Sequence, residues 1–258
     1  VGNVKVKNIS REIVSRLTDS LIEKGLSNKT VNDILGVFNL ILKHSAEQYG
    51  INAPPVTYLR ESKNSTRYLT LYEQKILCRY LCTDMDVYKF GTLLAMYTGI
   101  RVGELCALRW EDIDDYSISI NKTMMRIKTD AGKTEVVIAP PKSESSVREI
   151  PIPIEILKYF AAFRSDGFVL STERSAFCEP RHMQRKFEKY AADCNLKNVT
   201  FHTLRHTFAT RCIEAGVDAK TVSELLGHAD TSITLNRYVH PSFELKQASM
   251  QRMQSLLA

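Results

Sequence analysis

The chain has 258 residues, a length that accommodates one large domain or a small domain followed by a larger one. Its 44% hydrophobic and 25% charged residues are typical of a globular protein, and its formal charge of +6 permits a polyanionic partner without requiring one. The sequence contains no apolar run of about 18 residues and no apolar segment after the early lysines, so we expect neither a membrane span nor a signal peptide, and by default a cytoplasmic protein.

The first 52 residues predict two amphipathic helices. Apolar residues recur every four positions over residues 8–24. A second apolar stripe follows Ser27, a suitable N-terminal cap, and ends before Gly50, a typical C-terminal stop. Because two helices bury little apolar surface by themselves, we expect residues 1–52 to be part of a larger helical domain.

Residues 53–67 differ in composition from the preceding helices. Pro54 and Pro55 interrupt any helix, and residues 60–67 are polar without an apolar period. We expect an exposed linker whose cations could lie along a phosphate backbone. These candidate DNA-binding residues are Arg60, Lys63 and Arg67. A solvated linker without a partner explains the same residues equally well.

Residues 68–258 predict a second, larger domain of mixed structure. Thr70 and Glu73 match a capping box, and glycines punctuate the later helices. Runs of β-branched residues between the helices predict short strands. The expected helices cover residues 86–98, 102–109, 153–164, 180–194 and most of the chain after 200, and the expected strands cover 117–121, 134–139 and 147–152. This is a mainly α fold with a small antiparallel β-sheet, in the α+β class.

Two short strings place cationic side chains near helix ends. Arg101 lies between Gly99 and a new helix, where a guanidinium could bind two oxygens of a phosphate. The alternative is a helix-end arginine paired with Glu104. His202 and Arg205 are three residues apart and share one helix face, which suits an anion or an ordinary polar surface. Neither string is specific by itself.

Two further residues stand near the end of the chain. His228 follows the helix-stopping Gly227, at a turn from which it could point into a cleft, and Tyr238 lies ten residues later. A single tyrosine is usually a half-buried packing residue, and a single histidine is more often structural than catalytic. Whether these two residues have a catalytic role depends on the other candidate residues of the sequence.

Together with Lys142, these residues and their flanks resemble the tyrosine recombinase family, the lambda-type phage integrases and their relatives in conjugative transposons. The matching strings are Thr-Gly-Ile-Arg-Val-Gly-Glu-Leu at 98–105, Pro-Lys-Ser-Glu-Ser-Ser-Val-Arg-Glu-Ile-Pro at 141–151, His-Thr-Leu-Arg-His at 202–206, Leu-Leu-Gly-His at 225–228 and Tyr238. The resemblance spans about residues 68–245 and implies a tyrosine recombinase catalytic domain over residues 68–258. Residues 1–52 resemble the later half of the family's helical, SAM-like core-binding domain, without its earlier helices or the arm-binding module of many integrases.

The resemblance implies transesterification through a covalent 3′-phosphotyrosine, with Tyr238 as the nucleophile. Because a phenol has a reference pKa of about 10, it needs a base or a positive field to react near neutrality. The family pattern gives the role of base to His202. It also implies that Arg101 and Arg205 hold the non-bridging phosphate oxygens and that His228 donates a further hydrogen bond.

The resemblance assigns the protonation of the leaving 5′-oxygen to Lys142, in a turn between strands. Lys128 and Lys133 compete with Lys142 for this role, but the position relative to the following Arg-Glu-Ile-Pro string favours Lys142. His206 and His240 match residues that flank the family's motifs, and we give them no catalytic role.

We expect neither a metal nor a cofactor. Several cationic donors can supply the charge stabilisation that a metal provides elsewhere. The six cysteines include no Cys-x-x-Cys pair and have no neighbouring histidine cluster, so a zinc site is improbable and buried free thiols in a reducing cytosol are the better interpretation. The phosphotyrosine conserves the energy of the broken bond, so no ATP site is needed.

The expected partners are double-stranded DNA and further copies of the chain. By resemblance, four protomers on two duplexes carry out strand exchange, and a tail helix from about residue 243 docks on a neighbouring protomer. The tail could instead pack on its own domain. Arg181, Arg185 and Lys186 form a basic face that could contact DNA, although a solvated face is nearly as good an interpretation.

The predicted function is therefore that of a site-specific DNA recombinase or integrase of a mobile element. One alternative is a type IB topoisomerase-like enzyme, which uses the same tyrosine chemistry to relax supercoils. Another is a DNA-binding regulator that keeps the fold and has lost catalysis, and this is disfavoured because every residue of catalytic type is present.

Overall fold

A computed structural model of the chain describes residues 4–61, 66–129, 132–141 and 143–238, together with residues 247, 250, 251 and 254. The chain divides into two units, residues 1–65 and 66–258, and each is described by itself. Within the described ranges, the helices are all too short or too polar to cross a membrane.

In the described part of the first unit, two α-helices begin at serine caps, of which Ser27 was predicted. α1 spans Arg11–Glu23 and α2 spans Asn28–Tyr49. Ser10 and Ser27 accept hydrogen bonds from backbone N–H groups of the first turn of each helix. Gly50 ends α2 in the left-handed conformation, at φ 63°, which a glycine adopts without a steric penalty.

The segment that follows α2 packs against these helices. The first unit contains two small clusters of buried apolar residues. Val56 packs against both clusters, and Leu59 packs against one of them. The Asn32 side chain donates to the Leu59 carbonyl at 2.9 Å and accepts from the Leu59 N–H at 2.8 Å. Residues 53–61, which we expected to belong to an exposed linker, are therefore docked on α2 because apolar side chains stand among the polar ones.

The second unit is built around a buried helix, α4. Its helices are α3 (Leu71–Cys82), α4 (Val87–Thr98), α5 (Val102–Ala107), α6 (Ile154–Phe163), α7 (Pro180–Asp193), α8 (Phe201–Glu214), α9 (Ala219–Leu226) and α10 (Thr231–Tyr238). From Phe90 to Met96, every residue of α4 is buried, because apolar residues cover all of its faces. It packs against α3, α5, α6, α7 and α8. Asp86 caps its N-terminus and the predicted Gly99 ends it.

In the described part of the second unit, four short strands form two antiparallel sheets of two strands each. They are β1 (Ser117–Ile120), β2 (Thr123–Lys128), β3 (Thr134–Ala139) and β4 (Arg148–Pro151). β1 pairs with β4, and β2 pairs with β3 from Thr123↔Ala139 to Lys128↔Thr134. The sequence predicted a small antiparallel sheet without β2. The structure separates the strands into two ladders, because β2 takes its hydrogen-bonding partner from β3 across the following turn.

The turn after α4 is surrounded by α8 and α9. A Cβ added to Gly99 would lie 2.5 Å from the Phe208 ring and 2.9 Å from the Leu226 side chain. Gly99 also has φ 65°, in the left-handed region. The backbone after α4 can approach both helices this closely only because the residue has no side chain. This approach brings the start of α5, the face of α8 and the end of α9 together.

Candidate active site

Arg101 lies directly after this turn, at the N-terminus of α5. Its backbone N–H donates to Glu104 at 3.0 Å, and its Nη1 donates to the same carboxylate at 2.7 Å. Its Nη2 donates to the carbonyl oxygen of Gly227 at 3.0 Å. The expected helix-end pair with Glu104 therefore forms, yet 36% of the Arg101 side chain remains exposed. The guanidinium is held from two sides and can still meet a ligand.

Glu104 is a buried carboxylate shared by two arginines. Arg148, at the start of β4, donates to it at 2.9 Å and donates through Nε to the carbonyl oxygen of Leu225 at 2.7 Å. Burial acts to raise the pKa of Glu104, but the hydrogen bond and charge of Arg148, together with the charge of Arg101, outweigh burial and hold this pKa below its ordinary value. The carboxylate therefore stays ionised and fixes Arg101.

Arg205 projects from α8 and is almost completely buried. Its Nη1 donates to the Gly99 carbonyl at 2.9 Å, and its Nη2 donates to the Leu226 carbonyl at 2.6 Å. Burial, followed by the charge of nearby Arg101, lowers the pKa of Arg205 to about 9. Among the ion pairs of the described ranges, none includes Arg205. A phosphate anion beside it would relieve this unfavourable charge.

His228 and Tyr238 are connected through α10. His228 follows Gly227, which ends α9 at φ 63°. The His228 Nδ1 lies 2.7 Å from the hydroxyl of Thr234, a completely buried residue of α10. Tyr238, at the end of α10, is 8% exposed and packs with apolar residues of α8 and α9. The phenol therefore packs against α8, which carries Arg205, and against α9, whose last carbonyl is bound by Arg205.

His202 is exposed at the start of α8 and lines a cleft of about 490 Å³ with Arg101. The ring of His206, one turn later, stands 4.5 Å from the His202 ring between centroids, at an interplanar angle of 85°. The Nδ1 of His206 lies 2.6 Å from the hydroxyl oxygen of Tyr238. Five of the six side chains expected to be catalytic are thus on adjoining elements of one unit.

Residues 67–244 match the model of the phage integrase family. The chain belongs to this family. It is 27% identical, over 98% of its length and 73% of the relative, to a tyrosine recombinase XerC-like protein of Caldanaerobacter subterraneus subsp. tengcongensis. It is 32% identical to tyrosine recombinase XerC of Thermodesulfovibrio yellowstonii, over 90% of the chain and 78% of the relative. The predicted tyrosine recombinase family is confirmed, and with it an enzyme that cleaves and rejoins DNA.

Relatives from mobile elements also match the chain. The transposase of transposon Tn916 from Enterococcus faecalis is 28% identical over 62% of this chain, and the match spans 44% of that protein. A solved structure of the Tn1549 transposon integrase, in complex with a circular intermediate DNA, superposes with a TM-score of 0.85. It is 23% identical and covers 98% of this chain and 88% of that one, which shows a shared fold.

The predicted DNA-binding residues differ in their exposure and in their contacts. Arg67 is bonded to Glu73 at the start of α3, at 3.0 Å through Nη1. Arg181 is exposed on α7 and lines the same cleft as Arg101, whereas Lys186 lies 4.7 Å over the Tyr88 ring. Arg185 is exposed on α7, and Arg60 is exposed in the first unit. Lys142, Lys63 and most of the expected tail helix lie outside the described residues.

Sequence reasoning assigned no role to three residues that contact the set. They are His206, Arg148 and Thr234, which bond to Tyr238, Glu104 and His228. The only sequence indication was that His206 and Arg148 stand inside matching strings, whereas Thr234 lies between two of them. His206 stands 32 residues from Tyr238 and Arg148 stands 44 from Glu104, so these contacts follow from packing and not from local spacing.

Proposed function

We propose that the chain is a site-specific recombinase of a mobile genetic element, in which Tyr238 forms a 3′-phosphotyrosine with the cleaved strand. One observation carries the proposal: Arg205 and Arg101 donate to the consecutive carbonyls of Leu226 and Gly227, immediately before His228. Tyr238 packs on the same helix, α9. The relatives in Tn916 and Tn1549 support a mobile element, and the DNA complexes of the latter support double-stranded DNA as the partner.

The two arginines can bind a phosphate without losing these contacts. A guanidinium has five N–H donors, and each arginine uses only some of them on protein oxygens. The remaining donors could bind the non-bridging oxygens of the scissile phosphate, with a further bond from His228. Because the protein already fixes both guanidiniums, little reorganisation is needed as charge develops in the transition state.

Proton transfer requires two further groups. His202 is exposed in the cleft that Arg101 lines, so we assign it to the nucleophile's side of the reaction, where it assists proton transfer. We retain Lys142 as the acid that protonates the leaving 5′-oxygen, on the basis of the family pattern. The cationic donors perform the charge stabilisation, so cleavage should persist when EDTA is present.

The DNA-binding surface is proposed to extend along α7. Arg181 and Arg185 are exposed, and both line a second cleft of about 530 Å³ beside Arg126 and Glu179. Lys186 and Arg67 are further proposed phosphate contacts of the second unit, and Arg60 and Lys63 are separate proposed contacts of the first unit. Arg67 must share its guanidinium with Glu73, so we expect it to contribute least.

Strand exchange is proposed to need four protomers on two duplexes, with the tail from about residue 243 docked on a neighbour. Met250 is helical and 60% exposed, which leaves an apolar side chain available for such a contact. Sedimentation of the chain with two-site duplexes would test this assembly. A monomer per site under conditions that allow strand exchange would contradict it.

A nicked suicide duplex tests the proposed chemistry. Candidate duplexes come from the DNA on both sides of the gene that encodes the chain and from a randomised library, and any DNA trapped on the protein is sequenced. We expect a covalent adduct that Tyr238→Phe abolishes. An adduct that survives this substitution would refute the proposal. Strand exchange between two duplexes, as opposed to relaxation of a supercoiled plasmid alone, distinguishes a recombinase from a topoisomerase.

A further inference from the structure

The hydroxyl of the proposed nucleophile meets a histidine to which sequence reasoning assigned no role. The Tyr238 Oη and the His206 Nδ1 are 2.6 Å apart, and the ring centroids are 5.7 Å apart at an angle of 48°. This separation lies within the range for a general base and the proton that it removes, which is about 2.6–3.2 Å between heavy atoms. The contact is therefore short enough for direct proton transfer.

The position of His206 is fixed by α8. It lies one helical turn after His202 on the same face, and the two rings meet edge to face at 4.5 Å between centroids. His206 is half-buried, whereas His202 is exposed in the cleft. His206 thus stands between the phenol and the more exposed histidine.

The position of Tyr238 is fixed by two independent contacts of α10. Thr234, one turn earlier, is bonded to His228 at the end of α9. The Tyr238 side chain packs in a cluster with Ala209, Val222 and Leu226. Because these contacts hold α10 at Thr234 and at Tyr238, the phenol hydroxyl is directed at His206.

We propose that His206 is the group that accepts the proton of Tyr238 during cleavage and returns it during rejoining. The inference rests on the proposed function, in which Tyr238 is the nucleophile. As the Oη–P bond forms and the P–O5′ bond breaks, the hydroxyl proton moves to His206 Nδ1, while the leaving 5′-oxygen takes its proton from the separate acid. In rejoining, the 5′-hydroxyl attacks phosphorus and gives its proton back to the conjugate base of the separate acid. The Oη–P bond breaks, and His206 returns its proton to the departing phenol oxygen.

The chemistry of the two groups suits this transfer. An imidazole has a reference pKa of about 6.5 and can accept and release a proton near neutrality, whereas a phenol, at about 10, loses its own proton only with assistance. The nearby charge of Arg205 interacts with Tyr238 and favours the phenolate as it forms. His202 then acts on His206, by orienting its ring, and remains available to the phosphate.

The first test compares single-turnover cleavage by the wild-type chain and by His206→Asn. The asparagine amide can keep a polar contact near the former Nδ1 but cannot take up a proton. We expect a loss of about 100-fold in the cleavage rate. His44→Asn, at an exposed position of α2, is the matched control and should cleave at the wild-type rate. Wild-type cleavage by His206→Asn would overturn the inference, while loss of the adduct in Tyr238→Phe would still support the proposed function.

A more acidic nucleophile and a substrate with a better leaving group test whether His206 acts as a base or only positions the phenol. With 3,5-difluorotyrosine at position 238, the hydroxyl is more acidic, so the penalty of His206→Asn should shrink to about 10-fold or less. An unchanged penalty would mean that His206 only positions the ring. A 5′-bridging phosphorothioate, whose leaving group needs no proton, should not rescue His206→Asn. Rescue would place His206 on the leaving group and overturn the inference.

A measurement on the unaltered chain guards against a variant that fails to fold. Nitrogen NMR of the chain labelled in its histidine rings reports which ring nitrogen of His206 carries the proton, with Tyr238→Phe used to assign the signal. We expect the proton on Nε2, which leaves Nδ1 to accept the hydrogen bond from Tyr238. A proton on Nδ1 in the neutral ring would contradict the proposed direction of transfer.

Discussion

Replacing Glu104 by glutamine removes the one negative charge that Arg101 and Arg148 share. The Arg148 side chain is 6% exposed and that of Glu104 is 3% exposed, so Arg148 would keep its buried charge without a carboxylate partner. Its remaining bonds go to the neutral carbonyls of Ser146 and Leu225. Removing one member of a buried ion pair costs about 3–5 kcal/mol, because the other charge stays buried.

This loss should be visible in the unfolding of the second unit. For a domain of 150–250 residues, 1 kcal/mol corresponds to roughly 2–4 °C in Tm, so Glu104→Gln should lower Tm by about 6–20 °C. Calorimetry and urea unfolding measure the change. The control is Glu224→Gln, since Glu224 is 70% exposed and lies 3.9 Å from Lys220 on the surface of α9. Its loss should be below about 1 kcal/mol.

The pH dependence of the free energy of unfolding follows from the pKa of Glu104, which folding lowers from 4.5. Its stabilising contribution is fully present above that unfolded value and is lost as the pH falls through the folded-state pKa. Wild type and Glu104→Gln should therefore differ most near neutrality and converge in acid. Equal stability of the two proteins at pH 7, or a double variant with Arg148→Met whose cost is the plain sum of the single costs, would refute this account of the network.

Three further outcomes are expected. Gly99→Ala should lower the free energy of unfolding in urea by about 2–4 kcal/mol, because it adds a clash with Phe208 to a left-handed backbone. Gly216→Ala, at φ 85° with open space around it, should lower it by only about 1–2 kcal/mol. Equal losses in the two variants would contradict the close packing at Gly99. Arg181→Gln should reduce the slope of log affinity for duplex DNA against log salt by about 1, while Lys220→Gln should leave it unchanged; an unaltered slope in Arg181→Gln would remove that contact. Thr234→Val should slow suicide-substrate cleavage by about 10-fold, which corresponds to about 1.4 kcal/mol for a lost hydrogen bond to His228. Thr92→Val removes the hydrogen bond of another buried hydroxyl and should leave the cleavage rate unchanged.

Local signals in the sequence predicted most of the helices and their ends. Ser27 and Thr70 cap α2 and α3, and Gly50 and Gly99 end α2 and α4, because capping depends on residues within one turn. β2 escaped prediction because its exposed end lacks a clear alternation and its stability depends on pairing with β3.

The sequence likewise predicted the residues of the candidate site but not the contacts that hold them. The matching strings identified Arg101, Arg205, His228 and Tyr238, which the structure places on adjoining elements. The contacts that hold these residues were not predictable. The bonds from Arg101 and Arg205 to backbone carbonyls of distant turns depend on how α4, α8 and α9 pack, and a carbonyl oxygen has no identity in the sequence.

These backbone carbonyls also explain why glycines and cationic residues occur close together in the matching sequence strings. The last carbonyls of a helix lack intrahelical partners and lie at the negative end of its dipole. At the ends of α4 and α9, the oxygens of Gly99, Leu226 and Gly227 accept from two arginines, which satisfies the helix ends and holds the guanidiniums in place. Each glycine therefore shapes a turn whose carbonyl orients an arginine. For this reason, Gly99→Ala should lower the cleavage rate of the fraction that remains folded, beyond its effect on stability, whereas Gly216→Ala should lower stability alone.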